Sequence, residues 1–316
     1  MSLDASAQTV LDLVEAAGRP LFETLDAAEA RRVYKAGRVV LQSAPQPVAA
    51  VRDLTAPGPG GSIPLRLYRA AGASPEARLP LLIYYHGGGW VLGDLETHDV
   101  VCRHLANAAG CAVLAVDYRM GPEHKFPAAV DDAFAVLNWA TGEAATLGID
   151  ARRIAVGGDS AGGNLSAVVS LLARDQGAPK LALQLLIYPA TDFIRDDYAS
   201  QRRFGEGYLL TTASQAWFHR HYLRSESDRV DWRVSPMRAP SLRSVAPAWV
   251  LTAGYDPLCD EGEAYARRLA AEGVPVATRR FDGQIHGFVT MGKMIPEAAQ
   301  ALDEAGAAVR RAFAAG

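Results

Sequence analysis

Two stretches at the start of the chain, residues 3–17 and 26–41, place apolar side chains at helical spacing, with Leu3, Val10, Leu11 and Val14 marking one face of the first. Such spacing predicts amphipathic helices, because residues three and four apart share a helix face. The pattern then changes. In the extended runs Val48 to Leu54 and Ile63 to Tyr68, the second alternates Ile63, Leu65 and Leu67 against Arg66 and Tyr68, and the turn-rich Pro57-Gly58-Pro59-Gly60-Gly61-Ser62 lies between them. Strand, loop and strand are expected there. From residue 79 the apolar runs become continuous: Leu79 to Tyr85, Cys111 to Val116, Arg153 to Val156, Leu181 to Tyr188, Ala248 to Ala253 and Val274 to Phe281. Strands without alternation are covered on both faces, as in a parallel sheet. Thr97 to Ala109 and Ala128 to Leu147 read as helices between them, with Val130, Phe134 and Leu137 forming a buried stripe. Strand and helix repeated in this way predict an α/β protein. Residues 190–240 break the rhythm with no strand-like run and a helical stretch around Trp217-Phe218-His219, which predicts an insertion over one sheet edge, a lid.

Composition adds limits rather than direction. A chain of 316 residues, 49% hydrophobic and 21% charged, is ordinary for a globular protein with one large core. Its net charge of −3 gives no reason to expect nucleic acid or an anionic membrane as partner. No segment approaches the ~18 continuous apolar residues of a membrane helix, and Asp4, Asp12 and Glu15 interrupt what a secretory signal would need. A cytoplasmic location is expected. Cys102, Cys111 and Cys259 include no C-x-x-C pair and are expected as small buried side chains.

The chemistry lies in two glycine clusters. Gly158-Asp159-Ser160-Ala161-Gly162 follows the run Arg153 to Val156, so Ser160 falls where a strand should turn sharply into a helix. A serine at such a kink, flanked by glycines, is a nucleophile elbow: its hydroxyl stands clear of its neighbours and can reach a carbonyl carbon. His86-Gly87-Gly88-Gly89-Trp90 follows the run Leu81 to Tyr85 and exposes bare backbone, suited to meet the negative charge of a tetrahedral intermediate. A phosphate cradle is the other use of such loops. It fails here because Leu92 stands where a dinucleotide fingerprint requires its third glycine, and neither cluster is followed by the Lys-Ser/Thr of a P-loop.

A serine nucleophile needs a base and a group to orient that base, in the chain order serine, acid, histidine. Of seven histidines, His219, His221 and His286 follow Ser160. His219 and His221, two apart in the predicted lid, point in different directions on a helix, which suits packing or surface roles and argues against a zinc pair. His286, in Asp282-Gly283-Gln284-Ile285-His286-Gly287-Phe288, follows the last predicted strand and is the candidate base. Asp256 follows the strand Ala248 to Ala253 and is the favoured acid. Asp260, Glu261 and Asp282 compete with it, although the first two suit a helix start and the third a turn. Trp90, Tyr188, Phe193 and Trp217 are candidate pocket-lining aromatics, and equally candidates for plain core or cap packing.

Taken together, His86 to Trp90, Asp117-Tyr118-Arg119 with Pro122-Glu123-His124, Gly157 to Asn164, Asp256-Pro257-Leu258 and His286-Gly287-Phe288 resemble the bacterial hormone-sensitive-lipase-like carboxylesterases, in order and over most of the chain. The resemblance implies an α/β-hydrolase fold: a mostly parallel eight-stranded sheet flanked by helices, with residues 46–189 and 241–316 as catalytic core and residues 1–45 and 190–240 as helical cap. It implies hydrolysis of short to medium acyl-chain esters by Ser160, His286 and Asp256 through an acyl-enzyme. The oxyanion would be held by the N–H groups of Gly88, Gly89 and Ala161. It further implies a small-molecule ester as partner, no cofactor, no metal, and a possible homodimer. Met120-Gly121 departs from the family's usual Leu-Ala, which puts the rigidity of that loop in question. Two other functions fit the same fold: a non-catalytic small-molecule receptor, which in related plant gibberellin receptors lacks the histidine, and an amidase or serine peptidase.

Overall fold

The computed structural model describes residues 2–195 and 197–315. Helices α1 (Ala5–Ala16) and α2 (Ala27–Leu41) lead into a hairpin of β1 (Ala50–Gly58) and β2 (Gly61–Arg69). Then follow β3 (Leu79–Tyr85), α3 (Asp99–Ala109), β4 (Ala112–Val116), α4 (Ala128–Gly142), α5 (Ala144–Leu147), β5 (Ile149–Asp159), α6 (Ala161–Asp175) and β6 (Gln184–Ile187). The 190–240 segment carries α7 (Ala199–Phe204) and α8 (Thr212–Tyr222), and the chain closes with β7 (Ala248–Tyr255), α9 (Cys259–Ala271), β8 (Val276–Ile285) and α10 (Glu297–Ala314). The strands form one eight-stranded sheet in the order β1-β2-β4-β3-β5-β6-β7-β8, antiparallel through β1, β2 and β4 and parallel from β4 to β8. This is the α/β-hydrolase architecture.

The continuous apolar runs have the expected cause. Side chains alternate across a strand: Leu81, Ile83 and Tyr85 of β3 join Val130, Val136 and Leu137 of α4 and Leu165 and Val168 of α6. Leu82 and Tyr84 point the other way, into a cluster with Val101 and Leu105 of α3 and Leu302 and Val309 of α10. Both faces are covered, so neither can be polar.

Several boundaries differ from the sequence pattern, three of them with a clear cause. The Pro57–Ser62 cluster is a tight turn between paired strands rather than a loop, since the ladder runs out to Gly58 and Gly61. Ala128 to Leu147 divides into α4 and α5 around Glu143. β8 extends beyond Phe281 to Ile285 through an irregular register opposite Ala253 and Tyr255. The extension is tied down by the N-terminus: Asp4 N donates to Gly283 O at 3.0 Å and Gln284 Nε2 donates to Asp4 Oδ2 at 2.8 Å.

Candidate active site

Register brings the distant motifs to one edge. Tyr255, the last residue of β7, pairs with Ile285, the last of β8, so Asp256 and His286 leave neighbouring strands side by side. Gly158 in β5 pairs with Tyr85 in β3, which sets the turn at Ser160 beside the loop opened by His86 and Gly87. Parallel strands place all these departures at the carboxyl edge, where open α/β sheets hold their ligands.

Ser160 sits between β5 and α6 at φ 55°, ψ −114°. A non-glycine residue in this region carries roughly 1–3 kcal/mol of strain and is retained only where its surroundings enforce it. They do so here: Ser160 N donates to Ile187 O at 2.9 Å, and Ser160 O accepts from Asn164 N at 3.0 Å. Gly162 is required because a Cβ at that position would overlap the carbonyl of Tyr85.

The structure brings Ser160, His286 and Asp256 into contact. His286 Nδ1 lies 2.7 Å from Asp256 Oδ2, and His286 Nε2 lies 2.9 Å from Ser160 Oγ. Asp256 is fully buried and its other oxygen accepts from Leu258 N at 2.8 Å. A buried carboxylate at Nδ1 fixes the tautomer, so Nδ1 donates and Nε2 is left to accept the serine proton. The competing acids are engaged elsewhere: Asp260 Oδ2 accepts from Ser200 N at 2.8 Å, Glu261 pairs with Arg195 at 2.8 Å, and Asp282 pairs with Arg280 at 3.0 Å.

Gly88 and Gly89 border the same cavity as Ser160 and His286, and Ala161 opens α6, where helix N–H groups have no partner inside the helix. Beneath them Asp159, the residue before the serine, joins the two glycine clusters. Its Oδ1 accepts from Gly87 N at 2.9 Å and from Tyr84 Oη at 2.8 Å, and His98 Nε2 lies 3.4 Å away. Burial would raise its carboxyl, yet His98, Tyr84 and the Gly87 N–H outweigh burial and hold it down at about 2. Burial, with His98 beside it, pushes the His86 imidazole down to about 4, so His86 is neutral and stacks on Tyr118 at 4.4 Å. Asp159→Ala would leave the Tyr84 hydroxyl and the Gly87 N–H buried and unpaired. It is expected to lower unfolding free energy by about 2–5 kcal/mol at pH 7 in urea denaturation, and an unchanged midpoint would refute this.

The cavity above these groups measures about 850 Å³, within the range of small-molecule sites. Its walls come from both segments outside the sheet: Tyr34 and Arg38 of α2, and Leu209, Leu210, Phe218 and His219 from the 190–240 segment. The two segments touch, with Trp217 Nε1 donating to Leu25 O at 3.1 Å and Trp217 and Phe218 packed on Ala27 and Ala30. Of the four aromatics singled out above, only Trp90 is among the lining residues. Tyr188 lies behind His286 at 4.7 Å between rings, Phe193 stacks behind His219 at 4.3 Å, and Trp217 faces the N-terminal segment. His219, expected as a packing or surface residue, is buried, and its ring faces the cavity. Tyr34 and Arg38, four apart on one face of α2, carried a helical-spacing signal that is visible in the sequence only once α2 is known to cover the site. The Met120-Gly121 loop is secured, with Gly121 N donating to Trp90 O at 2.9 Å and Arg31 Nη2 donating to Gly121 O at 2.7 Å.

Among the described residues no group of three or more His, Cys, Asp or Glu side chains is arranged to hold a metal ion, and no helix is long and apolar enough to cross a membrane.

A family model described as the α/β-hydrolase fold matches residues 82–290. The chain is 44% identical over 315 residues to the carboxylic ester hydrolase LipN of Mycobacterium tuberculosis, spanning 98% of this chain and 83% of that protein. It is 40% identical over 310 residues to an ethyl acetate hydrolase of Pseudomonas putida, spanning 96% of each. Among solved structures, an ester-hydrolase from the metagenome of Lake Arreo, complexed with a derivative of bipyridine phosphonate, matches at TM-score 0.95 and 43% identity over 99% of each chain.

Proposed function

The chain belongs to the α/β-hydrolase fold family, and from that premise we propose that it is a serine carboxylic ester hydrolase acting on small esters of short to medium acyl chain. The observation that carries this reading is the unbroken contact from Ser160 Oγ through His286 to the buried Asp256. The names of the relatives, a carboxylic ester hydrolase and an ethyl acetate hydrolase, favour the ester over the amide bond.

In the first step Ser160 Oγ bonds to the ester carbonyl carbon while its proton passes to His286 Nε2. The negative charge that develops on the carbonyl oxygen is met by the N–H groups of Gly88, Gly89 and Ala161, already fixed in place before substrate arrives. Collapse of the tetrahedral intermediate breaks the bond to the alcohol oxygen, which takes the proton from Nε2 and leaves. Water then adds to the acyl-serine, giving its proton to Nε2. The second collapse returns that proton to Ser160 Oγ and releases the carboxylic acid. Asp256 stays ionised throughout and stabilises the transient imidazolium. Residues 1–45 and 190–240 act as a cap, supported by the walls that both lend to the cavity; apolar Leu209, Leu210 and Phe218 suit an acyl chain.

A fluorophosphonate is expected to label Ser160 covalently, located by peptide mass, and 4-nitrophenyl esters from C2 to C12 are expected to be cleaved with an optimum at short to medium length. A pure binding protein on this fold would show neither label nor turnover, and faster anilide than ester turnover would favour an amidase.

A further inference from the structure

The cations of the N-terminal segment fall into two sets. On α2, Arg31 pairs with Glu123 at 2.7 Å, Lys35 with Asp94 at 2.6 Å, and Arg32 with Glu29. Arg19 and Arg38 have no carboxylate within ion-pair reach among the described residues, and these two line the cavity that holds Ser160 and His286. Both are half-buried.

They also sit together. The Arg19 guanidinium lies against Gly37, where a Cβ would overlap its Nη1, so the glycine next to Arg38 provides the seat for Arg19. Arg38 is aimed by two contacts: its guanidinium stacks 4.6 Å from the ring centre of Tyr34, and its Nη1 donates to the Thr290 hydroxyl. That hydroxyl in turn donates to Gly287 O at 2.8 Å, and Arg38 Nη2 comes within 3.8 Å of the place a Gly287 Cβ would occupy, one residue from His286. Burial and then the neighbouring Arg38 both push the Arg19 guanidinium down from its usual value. Arg195, a further half-buried cation of the cavity lining, is already neutralised by Glu261.

We infer that Arg19 and Arg38 form a carboxylate-binding subsite in the catalytic cavity, so that the preferred esters carry a free carboxylate on the part reaching the N-terminal helices. Two guanidinium forks on one cavity, each able to present two N–H donors, suit the planar, two-oxygen geometry of a carboxylate, and binding it offsets the repulsion of Arg38 on Arg19. A carboxylate suits the site better than a dianionic phosphate, because Asp12, Glu15, Glu23 and Glu206 also line the cavity. The inference rests on the ester-hydrolase reading for its catalytic consequence and on the arginines alone for binding.

The test compares ethyl half-esters of C4 to C8 dicarboxylic acids with ethyl esters of monocarboxylic acids of the same length, at pH 7. The parent enzyme is expected to favour the best half-ester by about tenfold or more in kcat/KM, mostly through KM. The preference should shrink as salt rises from 20 to 500 mM. In Arg19→Gln and Arg38→Gln it is expected to collapse towards unity, and in Arg19→Lys to persist in part. Among the described residues Arg19 makes no hydrogen bond, so Arg19→Gln carries the test if Arg38→Gln, deprived of its Thr290 contact, does not fold. Neutral esters cleaved with no preference for any half-ester, or a preference that neither Gln substitution changes, would overturn the subsite while leaving ester hydrolysis intact. If no ester is cleaved at all, calorimetry with adipate decides: salt-sensitive binding weakened by Arg19→Gln supports the subsite, and absence of binding refutes it.

Discussion

Ser160→Ala is expected to lower kcat for 4-nitrophenyl butyrate by about 10⁴-fold or more, with little change in the unfolding transition. The large kinetic effect follows from the contact chain, in which His286 Nε2 has one proton to receive, that of Ser160 Oγ at 2.9 Å. Without the hydroxyl no acyl-enzyme forms, and only binding and the backbone donors remain. The small stability effect follows because the turn is held through the main chain of Ser160, whose N and O are both engaged. His286→Ala is expected to cost about as much, and the double substitution no more than either single one, because the three groups act as a unit. Single-turnover and steady-state kinetics on all three variants would check this. A Ser160→Ala protein retaining the parent rate, or losses that multiply in the double variant, would remove Ser160 from the role given to it.

Arg195→Met is expected to destabilise the protein by about 3–5 kcal/mol at pH 8, because it strips the counter-charge from a fully buried carboxylate. Glu261 is inaccessible to solvent; its Oε1 accepts from Thr191 N at 2.8 Å, and its Oε2 meets Arg195 Nε at 2.8 Å. Burial raises the Glu261 carboxyl to about 7, and Arg195 is the main influence restraining that rise. The sign of the pH effect follows. Between about 4.5 and about 7 the folded state holds a proton that the unfolded state has lost, so the contribution of Glu261 to stability falls as pH rises through this window and is level above it. Removing Arg195 should push the carboxyl further up, so the variant should lose less stability at pH 6 than at pH 8. Glu261→Gln in the parent should flatten the slope between pH 4.5 and 7. Urea denaturation at half-unit pH steps would measure both, and a pH-independent Arg195→Met penalty would refute the account. The same pair anchors Thr191 and Asp192, where the 190–240 segment leaves the sheet, to α9. KM is therefore expected to rise in Arg195→Met along with the loss of stability.

Much of the site was legible because its chemistry is local. The two glycine clusters each follow an apolar run, and a strand that must turn within one or two residues declares itself by the residues it excludes. His286 and Asp256 could be placed at strand ends for the same reason. The boundary at Phe281 was not legible, because Asp282-Gly283 has the composition of a turn; the strand continues because Ile285 pairs with Tyr255 and Asp4, from the other end of the chain, hydrogen-bonds with Gly283 and Gln284. Lining and packing aromatics could not be told apart for a related reason. Trp90, Tyr188, Phe193 and Trp217 are large and apolar, but size does not say which side of a wall a ring occupies, and Tyr188, Phe193 and Trp217 became packing behind the cavity.

By itself the sequence determined the class of fold, the turn that presents Ser160, the exposed backbone of Gly87 to Gly89, and the chain order of the proposed nucleophile, acid and base. Each of these depends on steric limits acting within a few residues. Only the tertiary structure decided that Tyr255 pairs with Ile285, so that Asp256 and His286 meet, and that Arg19 and Arg38 line the cavity of Ser160 with no ion pair to a carboxylate among the described residues. Those outcomes depend on strand register and on which helix covers the sheet edge, and both are fixed by packing between segments far apart in the chain.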